Sequence, residues 1–353
     1  MQLRRKYVAL HPKTLSLRHH IVNLLRAGRA DIVKSVSESH ALSPQAVRNH
    51  LNAMVREGTV EVAGATRARR YKLKAIVDKF ESFPVDAFTE ELIWTQFIKP
   101  SITDLPQNVQ TIWSTVVTEI VNNVVDHSES STVSVSMVRT LPMTNVTIVD
   151  QGVGAFQKVR KALGLIDDRQ AAFELSKGKL TTAPEAHSGY GIYFSSRMVD
   201  VFHIASGSLG FSHRREDEDW LIETESPMKG TFVSMAIAND SNTTISEVYD
   251  RYCTNPNDEN DFGFHKTHVP LMLAQFGQEP LVSRSQAKRV LARVDRFSEV
   301  LLDFKGIDIV GQAFADEIFR VFPKQHPKVR VLWVNANPSI QKMIALARSV
   351  DSE

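Results

Sequence analysis

Residues 116–127 read Val-Val-Thr-Glu-Ile-Val-Asn-Asn-Val-Val-Asp-His, and residues 146–155 read Val-Thr-Ile-Val-Asp-Gln-Gly-Val-Gly-Ala. These two stretches decide how the chain is read. The first lies within a run from Asn108 to Asp126 whose apolar residues recur at helical spacing. Glu119 and Asn123 stand four residues apart in it, so both side chains share one face of one helix. The second stretch alternates like a strand and delivers Asp150 at its tip. Gly152 and Gly154 follow, where a missing side chain lets another group come close to the backbone.

Working outward, Thr132 to Val138 and Asn145 to Val149 alternate as two strands. A polar loop around Ser176 to Ser188 leads into His187-Ser-Gly-Tyr-Gly-Ile-Tyr193 and an apolar helix that starts near Gly191. Amides near Gly189 and Gly191, at a helix N-terminus, suit the oxygens of a phosphate. Further strands are expected at Val201 to Ser206, Trp220 to Thr224 and Gly230 to Ile237, with Thr231 directly after Gly230. A carboxylate at the tip of a strand, such as Asp150, can accept a hydrogen from the amino group of adenine.

The order Glu-x-x-x-Asn, Asp-x-Gly-x-Gly, Gly-x-Gly and Gly-Thr resembles the GHKL ATPase superfamily, with the anti-sigma-factor serine kinases as the nearest flavour. That resemblance implies ATP and Mg²⁺ as cofactors. In it Asn123 ligates the metal, Glu119 orients or deprotonates the attacking hydroxyl or water, Asp150 recognises adenine, and Thr231 supports that contact. Gly152, Gly154, Gly189 and Gly191 shape the pocket. Residues 155–188 correspond to a mobile lid in which Lys177 and Lys179 neutralise phosphate charge. Each element alone is common; a lone Gly-x-Gly often marks only a turn, and the weight lies in the order and placement of all four.

Upstream, residues 1–79 hold 16 Lys and Arg against 5 Asp and Glu, a surplus of +11, and the net charge of +2 leaves −9 for residues 80–353. Such a basic module is the electrostatic footprint of a nucleic-acid contact, or a solvated face. Apolar spacing predicts a helix through Leu15 to Leu25 closed by Gly28, a second over Ala30 to Ser39, and a third opened by Ser43 and Pro44 with Val47, Leu51, Met54 and Val55 as its buried stripe. Two short strands, Thr59 to Val62 and Arg70 to Leu73, follow. Three helices and a hairpin resemble a winged helix-turn-helix domain. The resemblance implies that Gln45, Arg48 and Asn49 on the third helix read base edges, with His50 beside them. It likewise gives Arg67, Arg69, Arg70 and Lys72 on the wing to phosphates. Phe80 to Ile98, acidic and aromatic with Pro84 inside it, reads as a linker.

After a second polar break at residues 254–262, strand and helix signals alternate. They comprise a strand over Thr267 to Leu273, a helix opened by a Ser283 and Gln286 capping box and running to about Arg296, and a strand over Val300 to Phe304. A helix over Phe314 to Val321, a strand over Val329 to Val334 and a helix over Pro338 to Ala347 complete the pattern. This resembles a STAS-like domain, as in anti-sigma-factor antagonists. The serine those antagonists phosphorylate has no counterpart here, since Gly311 and Gln312 occupy its place.

The expected chain is therefore a multi-domain α+β and α/β protein: a winged helix at 1–79, a GHKL α/β sandwich at 80–250 and a small STAS-like α/β domain at 263–353. Cys253 is the only cysteine, which rules out an intrachain disulfide and a cysteine-based zinc site. No run approaches the roughly 20 apolar residues of a membrane span, so a cytoplasmic protein is expected. The expected function is that of an ATP-binding, DNA-binding transcriptional regulator switched by nucleotide state. The alternative is an anti-sigma-like protein serine/threonine kinase or ATPase acting on a protein partner through the STAS-like domain. A homodimer is left open.

Overall fold

The computed structural model describes residues 12–64, 69–86, 89–180, 190–215, 219–253, 263–275 and 279–349. The chain is a mixed α/β protein with several sheets, divided into two compact units. The first unit comprises Met1–Lys79 with Met137–Thr144, and the second comprises Phe80–Ser136 with Asn145–Glu353.

In the first unit α1 (Pro12–Arg26), α2 (Ile32–His40) and α3 (Pro44–Arg56) close over one core. Ile21, Val36, Val47, Leu51 and Met54 are fully buried in it. The start of α3 is set locally, because the Ser43 hydroxyl accepts from the Ala46 amide at 3.2 Å and Pro44 occupies the first turn. Gly58, at φ +78°, then turns the chain into β1 (Val60–Ala63), which pairs antiparallel with β2 (Arg70–Leu73). Arg18 in α1 grips the Glu57 carboxylate through both guanidinium nitrogens, at 2.6 and 3.0 Å. This bidentate pair fixes the first helix to the end of the third.

A five-stranded sheet has the order β3-β4-β5-β7-β6, with β3 (Ala75–Pro84), β4 (Thr132–Thr140), β5 (Met143–Asp150), β6 (Val201–Arg214) and β7 (Trp220–Ala238). The linker expected at Phe80 to Ile98 is not one. Its first residues complete β3, and after α4 (Glu90–Leu92) a turn of π-helix, Ile93–Ile98, buries Ile93, Phe97 and Ile98. Phe97 meets Phe83 of β3 edge-on, with ring centroids 6.0 Å apart. The two strands expected at Trp220 to Thr224 and Gly230 to Ile237 are one strand. It pairs with β6 on both sides of an irregularity at Gly207, and its stretch over residues 222–227 is exposed while Leu209 and Phe211 of the facing β6 are buried.

Helix α5 (Gln107–His127) buries Val109, Trp113, Val117 and Val121. It is joined by α6 (Ala155–Leu163), α7 (Asp168–Lys177), α8 (Gly191–Met198) and α9 (Ile245–Cys253). The same compact unit contains a three-stranded parallel sheet, ordered β10-β9-β8, from β8 (Lys266–Pro270), β9 (Glu299–Asp303) and β10 (Arg330–Val334). Its helices are α10 (Arg284–Leu291), α11 (Gln312–Asp316), α12 (Phe322–Gln325) and α13 (Pro338–Ser349). The Ser283 and Gln286 capping box opens α10. That helix ends at Leu291, not near Arg296, because Ala292 leaves helical geometry and Arg293 turns left-handed at φ +59°.

Candidate functional site

Helix α5, the β5 tip, α6, the end of α7, α8 and β7 surround a cavity of about 330 Å³. Six of the residues singled out from sequence line it together: Glu119, Asn123, Asp150, Gly154, Gly191 and Thr231. Its apolar walls include Ile148, Val159, Leu175, Leu180 and Ile204. A small, mostly apolar cleft with a few convergent polar groups is the usual form of a ligand site.

Asp150 is 2% exposed at the end of β5. One carboxylate oxygen accepts the Gly152 amide at 2.8 Å, and Thr231 adds hydrogen bonds from its hydroxyl and its N–H. Burial nevertheless outweighs these bonds and raises the carboxyl above its ordinary pKa of 3.8. The Thr231 hydroxyl also accepts the Ala155 amide at 3.1 Å, which ties β7 to the start of α6. The glycines are needed here. Gly154 and Gly230 have φ of +83° and +76°, and a Cβ on Gly230 would overlap the Asp150 backbone. Gly152 stands behind the cavity, where a Cβ would strike the Ser128 carbonyl that instead accepts the Val153 amide at 2.8 Å.

On the opposite wall the Asn123 amide donates to the Glu119 carbonyl at 2.8 Å. The Glu119 carboxylate reaches the first residue of α8, where any Cβ on Gly191 would overlap it. Glu119 and Asn123 thus stand beside a helix N-terminus. The amide oxygen of Asn123 fits Mg²⁺, a cation that takes few protein ligands and keeps phosphate and water oxygens around it. Among the described residues no group of three or more His, Cys, Asp or Glu is arranged to hold a metal.

Lys177 does not line this cavity. Its ammonium is buried and donates to Glu174 at 2.8 Å and to the carbonyls of Arg289 and Ala292 at 3.2 and 3.1 Å, capping the end of α10. Lys179 likewise donates to the Arg296 carbonyl at 2.6 Å. Gly189 lies outside the described residues. Sequence reading missed Lys158, which lines the cavity and donates to the His127 carbonyl at 2.7 Å. Its signal was the spacing of Ala155, Lys158 and Val159, one face of α6.

In the first unit Gln45, Arg48 and Asn49 are exposed on α3, and Gln45 donates to Asn49 at 3.1 Å. Arg69 donates to Asn52 of α3 at 3.0 Å and sits over the Tyr71 ring, so the hairpin and α3 present one polar surface. Arg70 is exposed, Lys72 pairs with Glu61 at 2.8 Å, and Arg67 lies outside the described residues.

Residues 286–341 match a family described as a STAS-like domain of unknown function. The match covers α10 through the start of α13, including β9 and β10. No curated protein matches the chain. No helix among the described residues is long and apolar enough to cross a membrane.

Proposed function

We propose that this chain binds Mg-ATP in the α5–β5–α8 cavity and uses its occupancy to regulate DNA binding by the N-terminal unit. The observation that carries the reading is the meeting of Glu119, Asn123, Asp150, Gly154, Gly191 and Thr231 around one cavity, which supports the resemblance of their motifs to a GHKL nucleotide site. In this reading Asp150 accepts from the adenine amino group, and the glycines admit the nucleotide against bare backbone. The α8 N-terminus faces the phosphates, with Lys158 as the nearby cation. Bound Mg²⁺ supplies charge neutralisation on the phosphates, and Asn123 holds it. Glu119 positions the attacking oxygen and takes its proton.

Lys177 gives the pocket a mechanical link to the STAS-like domain. Leu175, Gly178 and Leu180 line the cavity, while Lys177 between them is plugged into the end of α10, and the Thr267 hydroxyl of β8 donates to the Lys177 carbonyl at 2.7 Å. A nucleotide that shifts this strip acts directly on α10 and β8.

The second reading is a protein serine/threonine kinase or ATPase, favoured by the Glu119 carboxylate beside the α8 N-terminus. The deciding experiment measures binding of the full chain to duplexes selected from a random pool, with and without Mg-ATP. A nucleotide-dependent change in affinity supports the regulator. Absence of DNA binding under both conditions overturns it.

A further inference from the structure

We propose that a second cavity, between the parallel sheet and the β6–β7–α9 region, binds a small phosphate-bearing anion. The cavity measures about 1000 Å³, the upper end of the size usual for small-molecule sites. Among the described residues it shares no lining side chain with the first cavity.

The sheet itself points to it. Parallel sheets are ordinarily apolar on both faces, because helices cover them. Here one face is conventional, with Thr267, Val269, Val300 and Leu302 buried. The other presents Lys266, His268, Glu299 and Asp303 to the cavity. Parallel pairing sets Lys266 opposite Glu299 at the amino ends of the strands and Pro270 opposite Asp303 at their carboxyl ends, with His268 between, so the polar groups run along the whole of this face.

The polar groups there are already positioned. Asp303 accepts from Asn335 at 2.8 Å and from the Lys305 amide at 2.9 Å, and its other oxygen pairs with His268 at 3.0 Å. Across the cavity Asp219 holds His213 at 2.5 Å and Arg197 at 3.4 Å. Glu299 is engaged by Arg330 at 3.0 Å. Two further carboxylates line the cavity: Glu247 accepts the Thr244 amide at 3.0 Å and Asp250 the Ser246 hydroxyl at 3.5 Å, so all five meet cations or donors, and Arg214, Arg215, Arg251, Lys266 and Lys305 add positive charge to the walls. A cavity with fixed imidazoles, engaged carboxylates and lysine ammonium groups is suited to phosphate oxygens, which take charge-assisted hydrogen bonds.

The test is calorimetric titration of the full chain with sodium pyrophosphate in Mg²⁺-free buffer. Wild type is expected to bind one equivalent saturably. Lys266→Ala and His268→Gln should each weaken that binding by about tenfold, the scale of one charge-assisted hydrogen bond, while Lys266→Arg keeps it. The Lys266→Ala and His268→Gln losses separate this site from the ATP reading, because neither residue lines the first cavity. The proposal is overturned if wild type takes up no pyrophosphate. It is equally overturned if Lys266→Ala and His268→Gln retain wild-type affinity, which places any pyrophosphate bound outside this cavity.

Discussion

Replacing Lys177 by Met keeps most of the side-chain volume but removes a buried ammonium. Both Lys177 and Glu174 have side chains 2% exposed, so the substitution strands the Glu174 carboxylate and leaves the Arg289 and Ala292 carbonyls without that donor. Burial already disfavours the charged lysine, and its pKa is lowered; Glu174 and the carbonyls hold the ammonium in place. Breaking one side of a buried pair costs about 3–5 kcal/mol. Arg293, 3.8 Å from the other Glu174 oxygen, compensates part of the loss. The expected destabilisation is therefore about 3 kcal/mol, which for a unit of this size lowers Tm by roughly 6–12 °C. Adding Glu174→Gln should recover part of it, since no orphan charge remains. Thermal and urea unfolding of wild type, the single and the double variant measure all three. A single variant within about 0.5 kcal/mol of wild type, the range of an ordinary surface change, refutes the clamp.

Other substitutions separate the roles assigned to the two units. Glu119→Ala should retain ATP but lose turnover in a phosphate-release or transfer assay, whereas Asn123→Ala should lose the Mg²⁺-dependent part of the affinity as well. Because burial raises the Asp150 pKa above 3.8, ATP affinity should begin to fall at a higher pH than for an ordinary aspartate as the acceptor becomes protonated on acidification. Affinity measured down a pH series should show that decline in wild type and lack it in Asp150→Asn. On DNA, Arg48→Ala should relax sequence preference at a cost of about 1–3 kcal/mol, and Arg70→Ala should weaken all sequences and reduce the salt slope by about one. Lys72→Ala should change the slope less, because Glu61 already engages that ammonium.

What the sequence revealed was mostly local. The Ser43–Pro44 start of α3 and the Ser283–Gln286 capping box are made within four residues, and both are present in the structure. Asp150 at a strand tip followed from alternation over the residues just before it. The misread features depend on partners distant in the chain. Lys177 reads as a lid lysine for phosphate charge until the carbonyls of residues more than a hundred positions later, with Glu174, hold its ammonium away from the cavity. The β3 segment was hidden because most of its side chains are exposed, leaving little alternation to detect. The second cavity was hidden because Lys266, His268, Glu299 and Asp303 belong to strands that only parallel pairing brings side by side.

The central claim is that the α5–β5–α8 cavity is a nucleotide site read by Asp150. Calorimetric titration of Mg-ATP into wild type and Asp150→Asn tests it most directly. The account predicts one saturable site in wild type, and an affinity about 5- to 150-fold weaker in the variant, because an amide in place of the buried acceptor turns a hydrogen bond into an unmet donor worth roughly 1–3 kcal/mol. Absence of binding by wild type, or equal affinity in the two proteins, contradicts it.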